Sequence, residues 1–356
     1  MMTQVDRWRA ALSAVGLPNG ADVRWLPPAS APGRVIVVHG PVAEVSWCPG
    51  DQGELRTDRF ARRHDAAFTP VPGDWVAVRD GELVALGPRS AVLERPDPNG
   101  LQRQVLAANI DLALSVLPID RGPNLKAAER LAVMVWDSGA TPLVVLTKAD
   151  GCADEAAVAA AVREVSAVVP GVEVIATSAV DGRGLAELHS RLGPGITATM
   201  VGQSGVGKTS LVNALEGRAE AVAPVRRDGE GRHTTTTRRL YPLASGGVML
   251  DLPGLRLLDV LASTEAVEAT FEDIVDLAAD CRFRDCAHDR EPGCAVTAAV
   301  ADGTLEVRRL QNWRRLQKEL AHLRRRDDPL ARAAERARWT QISKASRQLP
   351  TIRGPR

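Results

Sequence analysis

Nine residues, Gly202-Gln203-Ser204-Gly205-Val206-Gly207-Lys208-Thr209-Ser210, constrain the fold of this chain more than any other stretch. They fit the pattern Gly-x-x-x-x-Gly-Lys-Ser/Thr, whose glycines let successive backbone N–H groups curl round phosphate oxygens at the positive end of a helix. The pattern has chemical meaning only between a strand and a helix. The apolar run Ile196-Thr-Ala-Thr-Met-Val201 predicts that strand, and residues 208–215, closed by Gly217, predict the helix. Lys208 is then placed to reach the β- and γ-phosphates of a nucleotide, and Thr209 to ligate Mg²⁺. These features put the chain in the α/β P-loop class.

Base identity is read from two further pieces. Thr147-Lys148-Ala149-Asp150 follows the apolar run Pro142-Leu-Val-Val-Leu146, and the Asp150 carboxylate can accept from guanine N1–H and the exocyclic amine. Adenine lacks that donor edge and would leave the carboxylate unpaired. Thr177-Ser178-Ala179, after Val172-Glu-Val-Ile-Ala176, resembles the loop whose backbone N–H meets guanine O6. An Asn usually stands where this chain has Thr147. A hydroxyl cannot make both amide hydrogen bonds that brace this loop against the phosphate loop. Base choice therefore stays with Asp150, and nucleotide affinity is expected to fall.

Downstream, Asp251-Leu-Pro-Gly254 follows Gly247-Val-Met-Leu250 and matches the Asp-x-x-Gly motif of GTPases. Asp251 would hold the Mg²⁺ site and the Gly254 N–H would sense the γ-phosphate. Between them, Gly231-Arg-His-Thr-Thr-Thr-Thr-Arg238 offers a switch threonine among Thr234 to Thr237, with Thr236 the choice. Ordinary GTPases run phosphate loop, switch Thr, Asp-x-x-Gly, then guanine motifs. Here the guanine motifs come first, so the chain reads as a G domain circularly permuted after Asp-x-x-Gly. Permutation preserves a packed sheet and moves its ends.

Three of the five cysteines crowd into Cys281-x4-Cys286-x-His288-x5-Cys294. A Cys₃His set suffices for a closed tetrahedral zinc site with no open position for water, which is a structural rather than a catalytic arrangement. The odd cysteine count favours a reducing compartment over a disulfide framework. The segment is short and polar, so metal binding would supply folding free energy that a core cannot.

Length, 356 residues, allows two or three domains. A net charge of +1 means that no global field drives nucleic-acid binding. No apolar run is long enough to span a bilayer and no signal-peptide pattern opens the chain, so a cytoplasmic location is expected. Residues 1–32 are Pro-rich and read as an extension. From residue 33 to about 100, short strand-like runs with turn signals at 34–38, 42–47, 74–78 and 82–86 suggest an OB-type β-barrel, a fold that often binds RNA. Arg59, Arg62, Arg63 and His64 are assigned to a loop between those strands. The GTPase domain is expected over 101–262 and a helical zinc-binding domain over 263–330. In the latter, Leu310, Trp313, Leu316, Leu320 and Leu323 follow helical spacing. The same stretch carries Arg308, Arg309, Arg314, Arg315, Lys318 and Arg324 to Arg326, and a basic tail fills 331–356. Helix and tail read as contacts to RNA phosphates. No coiled-coil heptad is apparent, and a monomer is expected.

Barrel, permuted GTPase and Cys₃His module, in that order, resemble the ribosome small-subunit-dependent GTPase A family (RsgA, also called YjeQ). The likeness rests on the motifs above and spans about residues 33–320. It implies a late-acting factor that binds the small ribosomal subunit and its rRNA, and hydrolyses GTP to GDP when docked. Many GTPases place a Gln after Asp-x-x-Gly to orient the attacking water. Leu255 stands there, so positioning must come from elsewhere, and His233, beside the threonine run, is the candidate. The competing expectation is a nucleotide-gated RNA-binding switch acting on another RNA or assembly. A kinase or helicase would leave Asp150 and Ser178-Ala179 unexplained.

Overall fold

The computed structural model describes residues 3–18, 21–50, 53–62, 67–96, 103–216, 238–252, 264–289 and 291–327. The chain forms two compact units: residues 1–95 with 104–272, and residues 96–103 with 273–356.

The first unit opens with helix α1 (Gln4–Leu12). Thr3 and Asp6 form a reciprocal capping box, each side chain accepting from the other's backbone N–H. Strands β1 (Ala31–His39), β2 (Val42–Trp47), β3 (Arg56–Arg62), β4 (Trp75–Arg79) and β5 (Glu82–Leu86) follow. They pair in the cyclic order β1-β2-β3-β5-β4-β1, which closes a five-stranded OB-like barrel. Period-2 alternation sends Val35, Val45, Phe60, Val76, Val78 and Leu83 into its interior. Asp80 and Gly81, both at positive φ, make the tight β4–β5 turn.

Arg59 and Arg62 are a correction to the sequence reading. They lie on β3, not in a loop, and residues 63 and 64 lie outside the described residues. Only Phe60 of this strand is buried, so its sequence carries no hydrophobic alternation. Pairing with β2, and with β5 at Ala61 and Arg62, makes it a strand.

Next come β6 (Val92–Pro96) and β7 (Arg103–Ala108), which pair with each other, then β8 (Leu112–Pro118), α2 (Leu125–Ser138), β9 (Thr141–Thr147), α3 (Glu155–Val168) and β10 (Glu173–Ala176). They are followed by α4 (Leu185–Arg191), β11 (Thr197–Val201), α5 (Lys208–Leu215), β12 (Arg239–Pro242), β13 (Val248–Asp251) and α6 (Thr264–Thr270). The sheet order is β10-β9-β8-β11-β13-β12, parallel except for β12. Strands buried on both faces need two apolar sets, and this sheet has them. Ala113, Leu117, Val144 and Leu146 pack with Leu131 and Val135 of α2 and Val165 of α3. Leu114, Val116, Val145 and Met200 pack with Leu188 of α4 and Leu211 and Leu215 of α5. Helix α6 packs on α2. Strand β12 also pairs with β1, at Val37 opposite Arg239, so one continuous sheet runs from the G domain into the barrel.

Arg34 of β1 sits at the centre of that unit with no solvent exposure. Its guanidinium donates to the carbonyls of Val15 (2.8 Å), Gly16 (3.0 Å), Gly73 (3.2 Å) and Asn109 (3.0 Å) and stacks on the Trp75 ring at 4.6 Å. Burial lowers its pKa to about 10, against the opposing charges of Asp111 and Asp74.

The second unit contains α7 (Glu272–Ala279), α8 (Ala295–Ala301) and α9 (Val307–Asp327). Leu310, Leu316 and Leu320 form the buried stripe of α9.

Arg34→Met keeps the bulk but removes the donors from four buried carbonyls. It should destabilise the first unit by about 3 kcal/mol or more, read as a lowered urea midpoint with an unchanged slope. A midpoint within error of the parent would contradict the bridging role given to this side chain.

Candidate nucleotide crevice and metal centre

Parallel strands deliver their loops to one edge, and ligands of open α/β sheets bind outside those carboxyl ends. β11 ends at Val201 and the chain turns at Gly202, with φ 154°. A Cβ at this position would lie 2.6 Å from the Val116 carbonyl of β8, so only glycine fits. Gly207, φ 102°, is the N-cap of α5 and supplies no side-chain cap. The first amides of α5 thus have no side-chain acceptor at that cap, an arrangement suited to an anion. Lys208 folds back over the loop and its Nζ donates to the carbonyls of Gly202 and Gln203, both at 2.8 Å. Partial burial lowers the Lys208 pKa, while the charge of Asp251, at the end of β13, raises it. Partial burial raises the Asp251 carboxyl in turn, opposed by Lys208. Asp251 still keeps an exposed side, as do Gln203, Ser204, Gly205 and Thr209, while Val206 is buried and Ser210 half-buried.

β9 delivers the next loop. Lys148 adopts φ 60° and pairs with Asp120 at 3.6 Å. Ala149 is buried, and its N–H donates to the Thr177 carbonyl at 3.1 Å. The two loops predicted to read guanine meet directly: the Ser178 hydroxyl donates to Asp150 Oδ1 at 2.7 Å. The same Ser178 oxygen accepts from the N–H groups of Val180 and Asp181, and Ala179 is exposed beside it.

Thr147 is buried, and its hydroxyl lies 2.5 Å from the Val206 carbonyl of the phosphate loop and 3.3 Å from that of Leu117. One proton serves essentially one acceptor, and the shorter contact is to the phosphate loop. The single hydroxyl therefore keeps one of the two braces that an Asn would supply. Sequence reasoning identified the loss of one hydrogen bond and missed the retention of the other, which depends on backbone placement 59 residues away. His233, Thr236 and Gly254 lie outside the described residues.

The second unit brings Cys281, Cys286, His288 and Cys294 together, with all ligating atoms within 4.8 Å of one another. Sγ of Cys281 and of Cys294 each lie 3.5 Å from His288 Nδ1, and 3.8 Å from each other. A tetrahedron with Zn–S of about 2.3 Å and Zn–N of about 2.0 Å has S–S and S–N edges of roughly 3.8 and 3.5 Å. The donor set therefore fits a tetrahedral metal. His288 reaches it from φ 56°, held by Arg314, which donates to its carbonyl, and by the Trp313 ring at 5.5 Å. Cys294 is the N-cap of α8, and its sulfur accepts from the Thr297 N–H.

Several arginines of α9 have partners within the unit. Arg309 is buried and bidentate on Asp273 at 2.6 and 2.7 Å. Arg308 pairs with Glu306, Arg314 with Asp289, and Arg315 with Asn312 and Glu319. Arg309 thus joins α9 to α7, whereas the pairs of Arg308 and Arg315 are local to α9 and the residue before it. Lys318 is exposed, and the side chains of residues 324–326 lie outside the described residues.

A phosphate loop on the central strand, with guanine-type loops on strands that precede it in the chain, defines a circularly permuted P-loop GTPase. The RsgA GTPase family model matches residues 86–261, and one described as 50S ribosome-binding GTPase matches residues 197–330. A Streptomyces coelicolor protein named small ribosomal subunit biogenesis GTPase RsgA is 41% identical over 86% of this chain and 85% of its own. A protein of the same name from Opitutus terrae is 40% identical over 91% and 92%. Among solved structures, YjeQ from Thermotoga maritima superposes with a TM-score of 0.61 at 27% identity, covering 82% of this chain and 99% of that one. YloQ, titled a circularly permuted GTPase, gives 0.58 at 24%, covering 85% and 98%, a likeness of fold. The chain belongs to the RsgA family and is a GTP hydrolase.

Thr147→Val removes the remaining brace and leaves the Val206 carbonyl unpaired. GDP affinity should fall roughly fivefold to tenfold, the ratio for about 1 kcal/mol, in a fluorescent-nucleotide titration. Thr147→Asn should move it in the opposite direction. Equal affinities for all three proteins would remove any role for this contact.

Proposed function

We propose that this chain binds the small ribosomal subunit late in its maturation and hydrolyses GTP there. The observation that carries the reading is the near end-to-end likeness to proteins named for small-subunit biogenesis, reaching 91% of this chain. The site chemistry supports it. Asp150 and the Ala179 N–H would read guanine, and the amides of residues 205–210 with Lys208 would hold the phosphates. Thr209, Asp251 and Thr236 would hold Mg²⁺, which neutralises charge on the phosphate oxygens during phosphoryl transfer. The Gly254 N–H would respond to the γ-phosphate. Leu255 cannot orient a water, so turnover of the free protein is slow; docking brings the His233 imidazole to the attacking water.

The Cys₃His cluster takes one structural zinc, which leaves no position for water and stabilises a small unit against unfolding. Partners are the small subunit and its rRNA, reached through the barrel, Lys318 and the basic tail. Among the described residues no helix is long and apolar enough to cross a membrane. The protein acts as a cytoplasmic monomer.

Steady-state GTP hydrolysis with and without purified small subunits tests the reading. Turnover should rise by on the order of tenfold or more with subunits, and His233→Ala should remove roughly 100-fold of the stimulated rate while GDP binding stays unchanged. No rise, with GTP still bound, would point to another RNA or assembly as activator. Cys286→Ser should release the metal, measured by elemental analysis, and reduce co-sedimentation with small subunits at unchanged GDP affinity. Normal co-sedimentation would remove the zinc unit from docking.

A further inference from the structure

The barrel has a second concave feature, remote in function from the nucleotide crevice. A cavity of about 340 Å³ lies between α1 and one mouth of the barrel, lined by Gln4, Trp8, Trp47, Val78, Arg79 and Asp80 among others. Barrel mouths are recurrent ligand sites, and this volume is at the small end of their range. Its two aromatic walls come from different elements and are fixed independently. Trp8 Nε1 donates to the Gly50 carbonyl at 3.0 Å, and Trp47 Nε1 donates to Asp58 Oδ2 at 2.8 Å. The Trp47 ring also meets Phe60 edge-on at 5.1 Å. Both indole N–H groups are thus consumed within the protein, so the rings offer stacking surface without a demand for a further acceptor. The polar groups lie at the end of β4 and in the turn after it: the Arg79 guanidinium, which donates to the Pro28 carbonyl at 3.3 Å, and the carboxylate of Asp80, whose φ is 53°.

We propose that this cavity takes one unstacked nucleobase. The base would stack on the fixed indoles, an attraction available to any base. Arg79 suits the attached phosphate, and Asp80 suits an exocyclic amine, so adenine, cytosine and guanine fit better than uracil. The same chemistry is presented by a single-stranded RNA segment and by a free nucleotide. The site is separate from the GTPase crevice, and its test uses no ribosomes, so its failure leaves the proposed function untouched.

Full-length protein saturated with GDP is titrated with AMP, with a hexamer of adenylate, and with an abasic hexamer of equal charge, using calorimetry and ligand-observed NMR. Adenine is the probe because the guanine loop rejects it. The base-bearing ligand should bind about tenfold or more tightly than the abasic strand. Trp8→Ala should weaken base binding by a similar factor. Because that change could loosen α1, Gln4→Trp provides a second arm: it keeps both indoles, adds a ring to the cavity, and should block binding at unchanged GDP affinity. Binding of AMP as well as the hexamer identifies a free nucleotide as an occupant; binding of the hexamer alone identifies an RNA strand. Equal binding of abasic and base-bearing strands, no binding of either adenine ligand, or full binding by Gln4→Trp would overturn the site.

Discussion

A single buried cation holds the first unit together. Arg34 projects from the barrel, yet three of its four carbonyl partners belong to other segments: Val15 and Gly16 beyond α1, and Asn109 just before β8. It has no directly bonded carboxylate among these partners, and its charge is balanced at longer range by Asp111 and Asp74. Asn109 completes the junction at φ 56°, donating to the Gly73 carbonyl and accepting from the Ser90 N–H. Asp74, fully buried, is in turn held by Arg89 at 2.7 Å. Buried polar networks of this kind are stable only when their members are satisfied. The extension, the barrel and the start of β8 therefore meet at one hydrogen-bonded junction.

The nucleotide crevice is built on the same economy. Its loops touch one another through few bonds, two of them made by short side chains: Thr147 to the phosphate loop and Ser178 to Asp150. Permutation changes which loop is synthesised first and leaves untouched the strand ends that bring these side chains together. That is why a chain cut in a new place still assembles a GTPase site.

Much of this was legible in the sequence. Each motif carries its own local signal: glycines where φ must be positive, an apolar run before each loop, cysteines at chelating spacing. The strands at 197–201, 141–147, 173–176 and 248–251 and the helix at 208–215 lie within a residue or two of the expected positions. What was not legible depends on partners distant in the chain. β3 has one buried residue and is a strand because two neighbours bond to it. Arg34 reads as an ordinary strand arginine until four carbonyls converge on it. The pairing of Arg309 with Asp273 was hidden in the same way, since the two lie 36 residues apart. Charge composition says nothing of which charges are already spent inside the fold.

The pairing of β12 with β1 has a mechanical consequence. Strand β12 begins at Arg239, which pairs with Glu44 of the barrel at 3.1 Å. A module on a hinge could search for its target while the nucleotide site idled. A barrel spliced into the catalytic sheet by backbone hydrogen bonds cannot. It works as a fixed span: the barrel strands stand at a set distance from the strand end that carries the phosphate loop.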